Sequence, residues 1–261
     1  MTRWIATVAG LAYLVPLVGE RLKPTDARWC HPAWIGAGIA LHLLSLIVDA
    51  AIIGALPLSS MRWGLGALAL WVVLGWAYLR RRPQMESLGP LLVGLALVLM
   101  GTAQLAPDAG GSADLSSPWF VAHAALILLG LGGLAVSFTL SVLWLVVRRR
   151  LKTKRLRGIS RLPTLDTLDR LNYQSMALGF VALTAGIAVG GMWAATHPAA
   201  SMGADITIWG TALLWCWYAV GLHTRLVSGW RGRLAAIFGV GGFVGLGAMV
   251  AVAGLFLRGW H

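Results

Sequence analysis

The sequence is short of charge. Only 11% of its 261 residues are Asp, Glu, Lys or Arg, against about 25% in water-soluble domains. That excludes a soluble enzyme. It has two cysteines, Cys30 and Cys216, and no CxxC. That excludes a disulfide-stapled secreted scaffold and gives no sign of a redox pair or zinc site. Long polar segments are also missing. On one side the longest loop, Pro107 to Pro118, is a flexible Gly/Ser/Asp/Pro linker. What is abundant is apolar surface: 58% hydrophobic residues and a mean hydropathy of +0.78. The apolar residues fall in long runs, and a bilayer-crossing helix needs roughly 20 of them.

The runs predict an all-α, polytopic membrane bundle in a single domain over residues 1–261. Its eight transmembrane helices lie at about 4–19, 33–54, 61–79, 88–106, 119–147, 172–195, 205–226 and 234–257. Val15-Pro16-Leu17-Val18-Gly19 offers no small-x-small cleavage site, so the first span is read as a retained helix and not a signal peptide.

The net charge of +12 resembles a nucleic-acid signal until the charges are placed. Eighteen of the 21 Lys and Arg residues fall in alternate loops. These are Arg21, Lys23 and Arg28; Arg80, Arg81 and Arg82; nine residues between Arg148 and Arg170; and Arg225, Arg231 and Arg233. Only Arg3, Arg62 and Arg258 lie on the other face. Positive charge marks cytoplasmic loops, so the basicity sets orientation, puts both termini outside and implies no nucleic acid as partner. Most of the 18 read as solvated, headgroup-facing charges. Leu162, Leu165, Leu168 and Leu171 recur every third residue among Asp166, Asp169 and Arg170. They predict a short amphipathic helix on the inner surface over about 162–171.

Ionisable groups inside a bilayer are costly and therefore point to function. His42 falls near the middle of span 2 and His223 toward the inner end of span 7. His123 opens span 5, and His261 follows span 8. Two depths thus each hold a pair of imidazoles, and paired imidazoles suit axial ligation of haem iron. Asp49 lies seven residues after His42, on the same helix face. Trp209, Trp215 and Trp217 cluster near Asp205, as an interfacial belt or as a platform for a planar ligand. Met192, His197 and Met202 offer soft donors for Cu(I), although their spacing fits no tight motif. The glycines of spans 6 and 8 read as helix packing. Neither broken helices nor an inverted repeat marks a transporter.

Three stretches carry a resemblance. The first is Pro57-Leu58-Ser59. The second is the run from Leu162 to Tyr173 (LPTLDTLDRLNY), followed by Gly179-Phe180 and a helix ending at Gly190 to Trp193. The third is Leu222-His223-Thr224-Arg225 with Gly229 to Gly232 (GWRG) and Gly242-Phe243. They resemble the PLSN, LPSLExLDxLxY…GF and LHxR…GWxG…GF segments of the integral-membrane cytochrome c assembly family. Those haem-handling proteins include CcsA and ResC, and the size here is similar to the shorter HemX/YpjD branch. The resemblance covers roughly residues 57–261.

The resemblance implies haem b, held without covalent attachment, as ligand. His123 matches an outer haem ligand. His261, nineteen residues after Gly242, matches its partner, although the Ser-Tyr that follows in the family motif is absent. His223 matches a transmembrane ligand, and His42 is its expected partner from depth. Asp205, Trp215 and Tyr218 match parts of the family's tryptophan-rich haem platform, with Trp209 beside them. The leading tryptophans of that platform are replaced by Ala199 to Ala204, and its Pro-Lys-Glu by Ile206 to Ile208. This implies no catalytic residues and a protein that binds or passes haem without attaching it on its own. Arg62 and Arg258 are expected to clamp the haem propionates. The implied partners are haem, other cytochrome c assembly subunits, apocytochrome c and membrane lipid, in a bacterial inner (plasma) membrane. An alternative in another class is a non-catalytic HemX-like regulator of tetrapyrrole metabolism, acting through the basic loop 148–170.

Overall fold

A computed structural model describes residues 2–22, 32–53, 60–81, 85–106, 117–155, 159, 162–196 and 206–258. Among them are eight α-helices: α1 Thr2–Leu22, α2 Pro32–Ile53, α3 Met61–Leu79, α4 Gly89–Leu105, α5 Pro118–Lys152, α6 Leu165–Ala195, α7 Ile206–Val227 and α8 Arg233–Arg258. A single 3₁₀ turn, Met85–Leu88, precedes α4. The helix starts have local causes. The Ser60 hydroxyl accepts from Trp63 N–H at 3.4 Å and caps α3, and Thr164 Oγ1 does the same for Thr167 N–H at 3.2 Å and caps α6. Pro118 opens α5, where a missing N–H costs nothing.

Five of the helices are long and apolar enough to cross a membrane, and α4 is a shorter apolar helix. With the helices of α5 and α6 at 35 and 31 residues, their lengths of about 52 and 46 Å exceed a hydrocarbon core of about 30 Å. Both therefore project beyond it. The amphipathic segment expected over 162–171 is continuous with the span, because α6 runs unbroken from Leu165 to Ala195. Hydropathy sees only the apolar part of such a helix. Its polar turns stay helical with Thr164 capping their start and Asp169 paired to Arg225.

The chain forms two compact units, Met1–Ser117 and Pro118–His261. In the first, α1 packs on α2 and α4, and α3 packs on α2 and α4, giving a closed ring of four helices. Tyr13, Val72, Val73, Leu92 and Val93 fill its centre. In the second, α5 packs on α6 and α8, and α7 packs on α6 and α8. Leu134, Leu140, Leu168, Leu183 and Tyr218 fill that core.

Candidate functional site

In the second unit α5 and α6 pack backbone to backbone. A Cβ on Gly179 would meet Gly130 O at 2.9 Å and Leu134 N at 3.0 Å, and one on Gly133 would meet Gly179 Cα at 2.8 Å. The two backbones touch, which only glycine permits. The same stripe of α6 continues toward the start of α5. There Gly186 faces Ile127 and Gly190 faces His123, where a Cβ would stand 2.5 Å from the ring.

His123 lies flat in the seat that Gly190 leaves. Its Nδ1 is 2.8 Å from the carbonyl oxygen of Gly186. A carbonyl only accepts, so Nδ1 carries the proton and donates. In the neutral ring Nε2 then keeps its lone pair. This is the arrangement in which a backbone carbonyl orients a metal-ligating imidazole and raises its basicity. Phe120 stands beside the ring at 6.3 Å between centroids and packs on Trp193 at 5.1 Å. The sequence singled out His123. It read Gly186 and Gly190 as helix packing, which they are, and did not show that Gly190 seats the ring and the Gly186 carbonyl bonds it.

Along the same unit, Trp215 of α7 donates from Nε1 to Thr184 Oγ1 at 2.9 Å and packs on Phe180 at 5.4 Å. Trp209 is 64% exposed. Trp217 donates to the Phe238 carbonyl at 2.9 Å and lines an apolar cleft of ≈340 Å³ between α7 and α8, with Leu213, Gly241, Gly245 and Met249. His223 is exposed on α7. His261, Asp205, His197 and Met202 lie outside the described residues. Arg258 ends α8, and its side chain lies outside them as well.

At the opposite, basic end of this unit the resembling motifs meet. Asp169 accepts from Arg225 Nη1 at 3.1 Å and Nη2 at 2.7 Å, and from Gly232 N–H at 2.8 Å. The Arg225 guanidinium also lies over the Tyr173 ring at 4.6 Å. Gly232 has φ +66° and packs against Trp144. Counted in the sequence among inner-face charges that are mostly solvated, Arg225 is instead part-buried, and with Asp169 it ties α6, α7 and the turn before α8. Its opposite charge lies 56 residues away, and loop counting gives no sign of that pairing.

The first unit holds a second polar cluster. Asp49 pairs with Arg62 at 2.8 Å, and Arg62 Nη2 also donates to Thr2 Oγ1 at 3.0 Å. Arg62, expected at a propionate, is thus engaged by a carboxylate of its own chain. His42 is 2% exposed, with Nδ1 3.4 Å from the Tyr13 hydroxyl. The cavity beside it is ≈20 Å³, room for about one water and far less than a porphyrin.

Against known proteins, residues 40–256 match the family model described as cytochrome C assembly protein. The cytochrome c biogenesis protein CcsA of Trieres chinensis is 26% identical over 267 residues, covering 87% of this chain and 86% of that protein. CcsA of Prochlorococcus marinus (strain MIT 9301) is 27% identical, covering 84% and 81%. CcsA of Guillardia theta is 26% identical, covering 96% and 91%. These relatives carry the biogenesis name, and the regulator alternative finds no support among them.

Proposed function

The chain belongs to the cytochrome c assembly protein family, and from that premise we propose that this multi-pass membrane protein of cytochrome c biogenesis holds haem and passes it on. Haem is its cargo. The observation that carries the reading is His123. The Gly186 carbonyl holds its Nδ1 proton at 2.8 Å, which leaves Nε2 as a donor for iron. The described residues near it fit such a ligand. Phe120 and Trp193 make an aromatic wall at the ring, and Trp215 is fixed by Thr184 farther along the unit. Bound haem would supply the iron, and His123 and His261 are the imidazoles that would hold it.

Within this reading Trp209, Trp215 and Asp205 border the planar ligand, and Arg258 meets its propionates. His223 serves the second depth. The cavity beside His42, at ≈20 Å³, admits no porphyrin. The basic loops face the cytoplasm of a bacterial plasma membrane, and both termini lie outside. Apocytochrome c and other assembly subunits complete the system.

The test is the visible spectrum of the purified full chain, compared with His123→Ala and His261→Ala. A Soret band weakened or shifted by either substitution supports the reading. Wild-type and both variants giving the same spectrum overturns it.

A further inference from the structure

The basic end of the second unit brings cations from two elements to one place. The Arg148 guanidinium of α5 lies over the Trp144 ring at 5.4 Å. The turn 228–232 reaches the same ring, because a Cβ on Gly232 would stand 2.9 Å from it. Arg231 and Arg233 are the chain neighbours of Gly232 and are thereby carried beside Arg148. All three arginines are exposed, and none has an ion pair among the described residues. The turn itself is pinned. Gly232 gives its N–H to Asp169 at 2.8 Å, Ser228 N–H bonds the Thr224 carbonyl at 2.9 Å, and Gly229 and Gly232 both take φ +66°. The arginines thus stand on a fixed backbone, which lowers the entropy lost when they bind. Asp169 and Arg225 are spent on each other, so neither adds to the charge of the cluster. Asp166, one turn earlier on α6, is the other acid of this unit among the described residues.

On the membrane side of these charges the surface turns apolar. Leu226 and Val227, in the last turn of α7, are each 70% exposed, and Leu234 and Ile237, where α8 enters its apolar span, are exposed as well. Trp230, exposed at the turn between them, is the residue type that marks the membrane–water interface. A free anion or an acidic protein surface would match the arginines and leave the apolar side chains uncovered. A phospholipid matches both, because its phosphate accepts from guanidinium groups and its chains lie along exposed apolar helix ends. We propose that the basic end of the second unit holds one anionic phospholipid, its phosphate among Arg148, Arg231 and Arg233 and its acyl chains along the exposed ends of α7 and α8. The negative headgroup offsets the charge that Arg231 and Arg233 add beside Arg148. The lipid joins α5 to the α7–α8 turn at the level of Trp144. This site lies outside the haem reading, since none of its residues is assigned to haem.

The experiment is native mass spectrometry of the full chain released from detergent micelles, titrated with phosphatidylglycerol or with phosphatidylcholine of the same acyl chains. The wild type should bind the first phosphatidylglycerol about tenfold or more tightly than phosphatidylcholine. That affinity should fall by about fivefold per arginine removed, in Arg231→Gln/Arg233→Gln and, on the other helix, in Arg148→Gln. The single variant carries the test if the double one misfolds. Lys152→Gln/Lys154→Gln removes the same charge farther along the chain from Trp144 and should change the affinity by less than about twofold. Equal wild-type affinities for the two lipids overturn the proposal. Equal losses in the arginine and lysine double variants also overturn it, since they mean a diffuse field and not a site. Inorganic phosphate adducts as tight as those of the lipid, and lost with the same arginines, overturn it in favour of a free anion.

Discussion

Asp169→Ala removes one side chain and three contacts: those to Arg225 at 3.1 and 2.7 Å and that to Gly232 N–H at 2.8 Å. Arg225 and Asp169 are 12% and 13% exposed, so the orphaned guanidinium stays mostly out of water. Breaking a buried pair costs about 3–5 kcal/mol. Residual exposure and the Tyr173 ring, which still faces the cation at 4.6 Å, put the cost at the lower end, about 3 kcal/mol. A unit of this size loses about 2–4 °C per kcal/mol, so the unfolding midpoint should fall by about 6–12 °C. The assay is tryptophan fluorescence of the purified chain in detergent at one fixed scan rate, since unfolding of such a protein is a rate as much as an equilibrium. Asp169→Ala/Arg225→Ala should lose less than the sum of the single variants, because no charge is then stranded. A fall below about 2 °C, or strictly additive losses, would show that the pair is a solvated ornament and not a fastener.

Gly179→Ala should sharply lower the yield of folded protein, because its Cβ meets backbone atoms of α5 that have nowhere to go. Gly36→Ala meets nothing within 4 Å and should leave the midpoint unchanged or raise it by up to about 1 kcal/mol equivalent. Size-exclusion profiles of the two compare directly. Gly190→Ala pushes into the His123 ring, so haem titration should show a larger loss of affinity than of midpoint, and ¹⁵N shifts of the haem-free protein should show the ring leaving its Nδ1–H form. Ser60→Ala removes the cap of α3 and should cost about 1 kcal/mol, read as a midpoint shift of a few degrees.

Composition alone determined that this chain lives in a membrane, because only a bilayer accepts so much apolar surface in such long runs. Hydrophobic period located the helices: the span expected at 61–79 is Met61–Leu79, and that at 88–106 is Gly89–Leu105. It stopped short at 147 and began late at 172, since helical turns bearing Arg148 to Arg150 or Asp169 are polar although still helical. Histidine depth selected His123, because an imidazole at the start of an apolar run stands out by itself. What selected Gly186 and Gly190 as its seat, Arg225 as the mate of Asp169, and Asp49 as the mate of Arg62 was the rotation of each helix about its axis. That rotation is set by backbone contacts between glycines and by the side chains that interlock across the pair. The hydrogen bonds among them join residues 13 to 63 positions apart, and no local property of either residue records them.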